Sequence, residues 1–200
     1  MVDLGRPQLT DRLDGLYDVA MPTDTRAIDT RTAIVQATFD LTLANGAVPS
    51  LDAVVRASGV SKGGLLHHFP TRVTLLRGLA QWLGAKSIAW FDDLCVQGSA
   101  IEAWLAASTP KSEEMNEIFV LFTTMQALRA AGETGDSDYG EFTAHVDRKI
   151  AEELTGPDAE QRALMIRLVG DGLFFASLLG SSVPEATRVA LSERLAAPAS

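Results

Sequence analysis

The stretch from Ser50 to Phe69 constrains the fold more tightly than any other part of the chain. It places two short helices in succession, with only Ser58-Gly59-Val60-Ser61 between them, which are the dimensions of a helix-turn-helix. Gly59 permits the tight turn, and Val60 is placed to plug the space between the helices. In the first helix Leu51, Val54 and Val55 face inward. In the second, Leu65 and Phe69 are four residues apart and share the core face.

The outward face of the second helix carries the chemistry. Ser61 opens it, leaving unpaired N–H groups and the positive end of the helix dipole free to meet a phosphate. Lys62 stands at its exposed start, where a recognition helix meets base edges. Gly63 and Gly64 each lower helix propensity by about 1 kcal/mol relative to alanine, so their use points to an external constraint such as close backbone approach to DNA. His67 and His68 are adjacent and point about 100° apart, which rules out a same-face metal pair.

Charge is distributed to match. The chain is acidic overall, at −9, which by itself argues against a nucleic-acid partner. Residues 26–86, however, carry seven Lys/Arg against three Asp, a net of +4, while residues 87–200 carry eight Lys/Arg against eighteen Asp/Glu, a net of −10. Local charge near the phosphate backbone governs DNA affinity, and a basic module on an acidic body supplies it.

Other features bound the class. Alanine and leucine are abundant and strand-forming runs sparse, so the composition leans all-α. No apolar run approaches the roughly 20 residues needed to cross a bilayer. Met1 to Ala20 contains acidic residues throughout and no apolar h-region, so neither a signal peptide nor a membrane partner is expected. The single cysteine, Cys95, excludes an internal disulfide framework and a cysteine-based zinc site. It reads as a small core residue in a protein of the reducing cytoplasm. No cofactor or metal is expected, and no Ser/His/Asp, paired-carboxylate or metal-spaced cluster supports an enzyme. His145, near Glu141 and Asp147, reads as part of a solvated helix face.

Periodicity and breaks divide the chain into an arm over residues 1–25, with a short helical turn around Thr10 to Ala20, a DNA-binding domain over 26–86 and a helical domain over 87–200. A first helix runs from Thr25 to Asn45-Gly46, although Thr38 to Leu43 also alternates like a strand. Thr71 caps a fourth helix reaching about Gln97. Later helices are expected near 101–108, 112–131, 138–155, 158–180 and 184–197, making about nine in an all-α fold.

Arg31-x-x-Ile34, Asn45-Gly46, Ala57 to Gly63, His67-His68-Phe69-Pro70 and Leu75-Leu76 together resemble the DNA-binding region of the tetracycline-repressor (TetR) family. The resemblance covers about a quarter of the chain strongly. It implies an N-terminal three-helix helix-turn-helix domain and a C-terminal helical ligand-binding and dimerisation domain. It further implies Ser50 and Ser61 as capping and phosphate-contact residues, Lys62, Gly63, Gly64 and His67 as the reading surface, and Thr71 and Arg72 at the phosphate backbone. Two positions depart from the family pattern. Gly64 stands where threonine is frequent and Leu66 where tyrosine is, which leaves Leu66 for an apolar contact such as a thymine methyl. The loop Gly46 to Pro49 is also about one residue short.

The same resemblance assigns the later helices to effector binding and pairing. Trp90, Trp104, Phe119, Phe122, Met125 and Phe174 are candidates to line an apolar cavity, although an aromatic stripe at helical spacing is more often core. The helix near 112–131 is apolar on most sides and should lie between other helices. Gln126, Arg129 and Asp171 are polar groups within apolar runs and need partners; Gln126 and Asp171 are candidates for the cavity as well. Leu164, Leu168, Gly172, Phe175 and Leu179, with Val189 and Leu191, are candidates for a two-fold interface. These expectations describe a homodimeric repressor that binds a roughly palindromic duplex operator and is released by a small molecule. The competing readings are an all-α enzyme or carrier, and a DNA-binding factor whose body meets a protein partner; a cavity would discriminate against the latter.

Overall fold

Helix boundaries in this chain follow from capping chemistry. The computed structural model describes residues 25–111, 114–133, 138–181 and 183–197. Among them the chain forms nine helices and no strand: α1 (Thr25–Asn45), α2 (Leu51–Ser58), α3 (Lys62–His68), α4 (Arg72–Cys95), α5 (Ala100–Ala107), α6 (Met115–Ala130), α7 (Asp138–Glu153), α8 (Ala159–Leu178) and α9 (Glu185–Ala196). The fold is all-α. The arm expected over residues 1–25 lies outside the described residues apart from Thr25, where α1 opens.

Ser50, Ser61, Thr71 and Ser99 each accept a hydrogen bond from the backbone N–H three residues on, at Ala53, Gly64, Thr74 and Glu102. Each bond satisfies a donor that a helix start otherwise leaves unpaired. Gly59, at φ 70°, terminates α2 in the left-handed conformation that a side chain would disfavour.

The alternating run Thr38 to Leu43 is helical. Thr38 and Thr42 are fully buried, and their hydroxyls donate to the carbonyls of Ile34 and Thr38, at 2.7 Å each. A buried threonine that bonds its own helix in this way adds no unpaired polar atom.

Two apolar clusters organise the molecule. The first joins Ile34, Val35 and Ala37 of α1, Val54 of α2, Leu65 of α3, Phe69, and Leu75, Leu79 and Leu83 of α4. Val120 of α6 is fully buried within it, so a residue well beyond position 86 helps to seal this core. The second gathers Phe91 of α4 with residues of α5, α7 and α8, including Trp104, Val146, Ile150 and Ile166. Helix α4 therefore contributes to both, at 24 residues a continuous rod of roughly 36 Å. Helix α6, expected to be enclosed, has only Val120 and Thr124 fully buried. It packs on α1 and α4, while α8 packs on α7 and α5.

Candidate nucleic-acid interface and apolar cavity

The helix-turn-helix presents one exposed edge. Ser61, Lys62, Gly63, Leu66 and His67 are exposed, while Leu65 and Phe69 are buried beneath them. The hydroxyls of Ser50 and Ser61 accept from backbone N–H groups and retain their own protons for donation. Thr71 forms a reciprocal capping box with Thr74 at the start of α4.

Internal partners of several of these residues were not legible in the sequence. Lys62 pairs with Asp52 of α2 at 3.0 Å. Arg72 donates from Nε to the Pro49 carbonyl at 3.0 Å and from NH2 to the Val48 carbonyl at 2.8 Å. It thus holds the short α1–α2 loop, and only its remaining N–H groups are available to a phosphate. The two glycines separate as well. A Cβ on Gly63 would meet nothing within 4 Å, whereas one on Gly64 would lie 3.0 Å from Cγ1 of Val60. Gly64 therefore has an internal reason in the packing of the turn, and the external constraint inferred for both glycines is left to Gly63 alone.

Behind α3, the Arg31 guanidinium lies 5.1 Å from the Phe69 ring centroid. A Cβ on Gly78 would fall 2.5 Å from Cε1 of the same ring, so the close approach of α4 to Phe69 requires glycine there. The rings of His67 and His68 meet edge to face at 5.3 Å. Burial, then the neighbouring His67 and Arg31, lowers the pKa of His68 and favours its neutral form.

A cavity of about 100 Å3 lies between α4, α5, α6, α7 and α8. Trp90, Trp104, Phe122, Asp171 and Phe174 line it, together with Gly84, Ser87, Ser108, Leu121 and Phe142. Phe122 and Phe174 stack at 6.4 Å and 18°, bridging α6 and α8. Phe119, Met125 and Gln126 do not line it. Phe119 is 42% exposed and stands beside the turn at Gly46, because its position on α6 points toward α1. Gln126 and Arg129 are exposed, so water satisfies what sequence reasoning assigned to buried partners. Asp171 accepts from Arg167 at 2.8 Å, and Arg167 also holds Asp147 at 2.8 Å. Burial raises the Asp171 pKa, Arg167 pulls it down and Asp147 pushes it up again, so it stays above the ordinary carboxylate value.

His145 is not on a solvated face. Its Nε2 lies 2.8 Å from Asp92 Oδ1 and its Nδ1 2.8 Å from Arg148 NH2. Because arginine only donates, Nδ1 accepts and the ring proton on Nε2 goes to Asp92. Cys95 is half-buried against the second core, where burial raises its thiol pKa. Among the described residues no three His, Cys, Asp or Glu side chains come together as metal ligands, and no helix is long and apolar enough to cross a membrane.

A family model for the tetracyclin repressor-like C-terminal domain matches residues 98–200, just over half of the chain. The chain belongs to the tetracyclin repressor-like family. Two solved structures share the fold of this TetR-type transcriptional regulator. A transcriptional regulator from Rhodococcus sp. Rha1 superposes with a TM-score of 0.57 at 24% identity, over 82% of this chain and 93% of its own. A putative transcriptional regulator from Pseudomonas aeruginosa PAO1 superposes with a TM-score of 0.59 at 20% identity, over 82% and 87%. No curated protein matches the sequence significantly.

Among the described residues, the TetR-type body leaves an apolar row on α8 uncovered. Leu164, Leu168 and Phe175 of α8 and Leu179 at its C-cap are 43%, 54%, 62% and 71% exposed; Val189 of α9 is exposed as well. A Cβ on Gly172, within that row, would meet nothing within 4 Å. Met165 and Leu178, which the sequence reading did not single out, extend the face. Leu191 departs from it and packs against the second core.

Proposed function

We propose that this regulator is a homodimeric repressor that binds a roughly palindromic duplex operator and leaves it when a small molecule enters the cavity. The observation that carries this reading is the linkage of an exposed α3 edge to the cavity wall by one helix. α4 begins at Arg72, beside the reading edge, and supplies Gly84, Ser87 and Trp90 to the cavity.

Operator contact begins with Lys62 and His67, which extend toward base edges, while Gly63 lets the backbone approach. The Ser50, Ser61 and Thr71 hydroxyls and the free N–H groups of Arg72 take phosphates. Leu66, at 38% exposure the one large apolar side chain on this edge, suits a thymine methyl. The basic module of residues 26–86 supplies the long-range attraction, and the acidic body turns away from DNA.

Pairing uses the exposed apolar row of α8, with Val189 of α9 as a further candidate, since contiguous apolar surface of this kind is rare on monomers. A two-fold axis there makes each half-site meet an identical head. Control follows from population shift. A ligand that favours the dimer with unsuitably spaced heads lowers operator affinity by its differential affinity for the two states, on the order of 1–3 kcal/mol of coupling. The cavity favours this reading over a body that meets a protein partner.

Selection of bound sequences from random duplex DNA, with the wild-type chain and Lys62→Ala, tests the reading. Enrichment of a palindrome by the wild type, weakened in the variant, is the expected result. Absence of any enriched palindrome overturns it.

A further inference from the structure

The polar groups of the cavity share a chemical bias. The hydroxyl protons of Ser87 and Ser108 go to the carbonyls of Leu83 and Trp104, at 3.0 and 2.8 Å. The Trp104 indole N–H goes to the Arg167 carbonyl at 3.0 Å. Of the lining side-chain donors, only the Trp90 indole N–H has no hydrogen bond among the described residues. What the wall offers instead is acceptor capacity: the hydroxyl lone pairs and the Asp171 carboxylate.

Among the described residues, Asp171 is also the only charged side chain in the lining. It accepts Arg167 through Oδ2, and its Oδ1 has no hydrogen-bond partner among the described residues. Arg167 does not neutralise the site, because its Nε simultaneously holds Asp147 of α7. One guanidinium shared by two carboxylates leaves the trio at a net charge of −1. A second anion entering here would meet no unshared cation among the described lining residues, while a cation would meet a partly desolvated carboxylate in an aromatic-lined wall.

Size narrows the class further. A cavity of about 100 Å3 is smaller than the ~150 Å3 engineered cavity known to take benzene. The seated part is therefore a single ring or less, with any remainder emerging beside Phe122 and Phe174.

We propose that the cavity takes small protonated amines carrying one apolar ring, with the ammonium directed to Asp171 Oδ1 and the ring among Trp90, Trp104 and Phe122. This rests on the reading of the cavity as the effector site. Burial raises the Asp171 pKa and Arg167 lowers it; a bound ammonium adds a second cation that holds the carboxyl ionised.

The test is titration of the full chain at neutral pH with phenethylamine, phenethyl alcohol and hydrocinnamate, followed by tryptophan emission. These compounds present a cation, a neutral group and an anion on nearly the same body. The amine is expected to bind about tenfold more tightly than the alcohol, with the carboxylate weakest, as a charge-assisted hydrogen bond implies. Asp171→Asn abolishes the preference for amine while leaving alcohol binding within about twofold. Asp147→Asn, which keeps Asp171 but neutralises the trio, reduces the preference by several-fold. The ranking on the wild-type chain needs no variant to fold. Binding of the carboxylate as tightly as the amine, or an amine preference unchanged in both variants, overturns the proposal while leaving the cavity a ligand site. Failure of all three compounds to bind a chain that still binds DNA overturns the effector-site reading, and the proposal with it.

Discussion

Lys62 at the start of α3 and Asp52 in the first turn of α2 form an ion pair of 3.0 Å, with both side chains about two-thirds exposed. An exposed pair of this kind contributes about 0–1 kcal/mol to stability, so its significance lies at the surface it occupies. Asp52 holds the cation assigned to the bases and adds a negative charge where DNA would approach.

The two partners therefore have opposite effects on binding. Lys62→Ala is expected to weaken operator binding by about 1–3 kcal/mol, whereas Asp52→Ala tightens it by a few-fold at low salt, roughly as removal of one repulsive charge implies. Fluorescence anisotropy at two salt concentrations reads both. Equal weakening by the two substitutions would mean that the pair positions Lys62 instead of restraining it.

Glycines in the head divide by what surrounds them. Gly78→Ala places a methyl 2.5 Å from the buried Phe69 ring and is expected to cost about 1–3 kcal/mol in urea unfolding. Gly63→Ala meets open space and is expected to stabilise α3 by up to ~1 kcal/mol while weakening DNA binding. A Gly63→Ala chain that is more stable and binds as before would remove the backbone-approach argument.

Helix α8 supplies a test of assembly. Leu168→Glu and Phe175→Glu replace side chains that touch little within one chain, so the fold is expected to survive. The dimer is not. Sedimentation velocity should show a shift to monomer, with operator affinity falling because the two half-sites are no longer linked. A persistent dimer in both variants would move the interface elsewhere.

His68 imposes a pH dependence. Its folded-state pKa lies below the ordinary value of about 6.5, so between those two values the unfolded chain binds more protons and stability rises with pH. The contribution is complete above about pH 6.5 and is lost as pH falls through the depressed folded-state value. The charged groups that add to the effect of burial are His67 and Arg31. Denaturant midpoints across pH 5–7.5 should show the loss, and His68→Gln should flatten it; an unchanged profile in that variant would exclude His68 as the source.

The head was legible in the sequence because its determinants are local. Ser50, Gly59, Ser61 and Thr71 each act on a backbone group within a few residues, and the spacing of Leu65 and Phe69 follows from one helix period. The cavity was legible only in part. Trp90, Trp104, Phe122, Asp171 and Phe174 reach it, but Phe119 and Met125 share an equally apolar helix and do not. Which side of α6 meets α1 and which meets α8 depends on how distant helices pack, and no local pattern carries that. His145 was misread for the same reason: its partner Asp92 comes from a helix 53 residues away in sequence. Lys62 shows the limit even within the head, since its pairing with Asp52 needs the turn geometry.

Helix α4 buries Leu75 and Leu79 in one core and Phe91 in the other, and α6 buries Val120 in the first while lining the cavity with Leu121 and Phe122. The head is consequently not an interchangeable part. A chimaera joined at residue 86 would cut the shared rod and put foreign side chains against the lid that Val120 provides. If the exposed edge of α3 reads the operator as proposed, exchange of operator specificity between such regulators has to proceed by rewriting that edge, or by moving α4 and α6 as a pair. Drift in the two halves of this protein is tied together at those two helices.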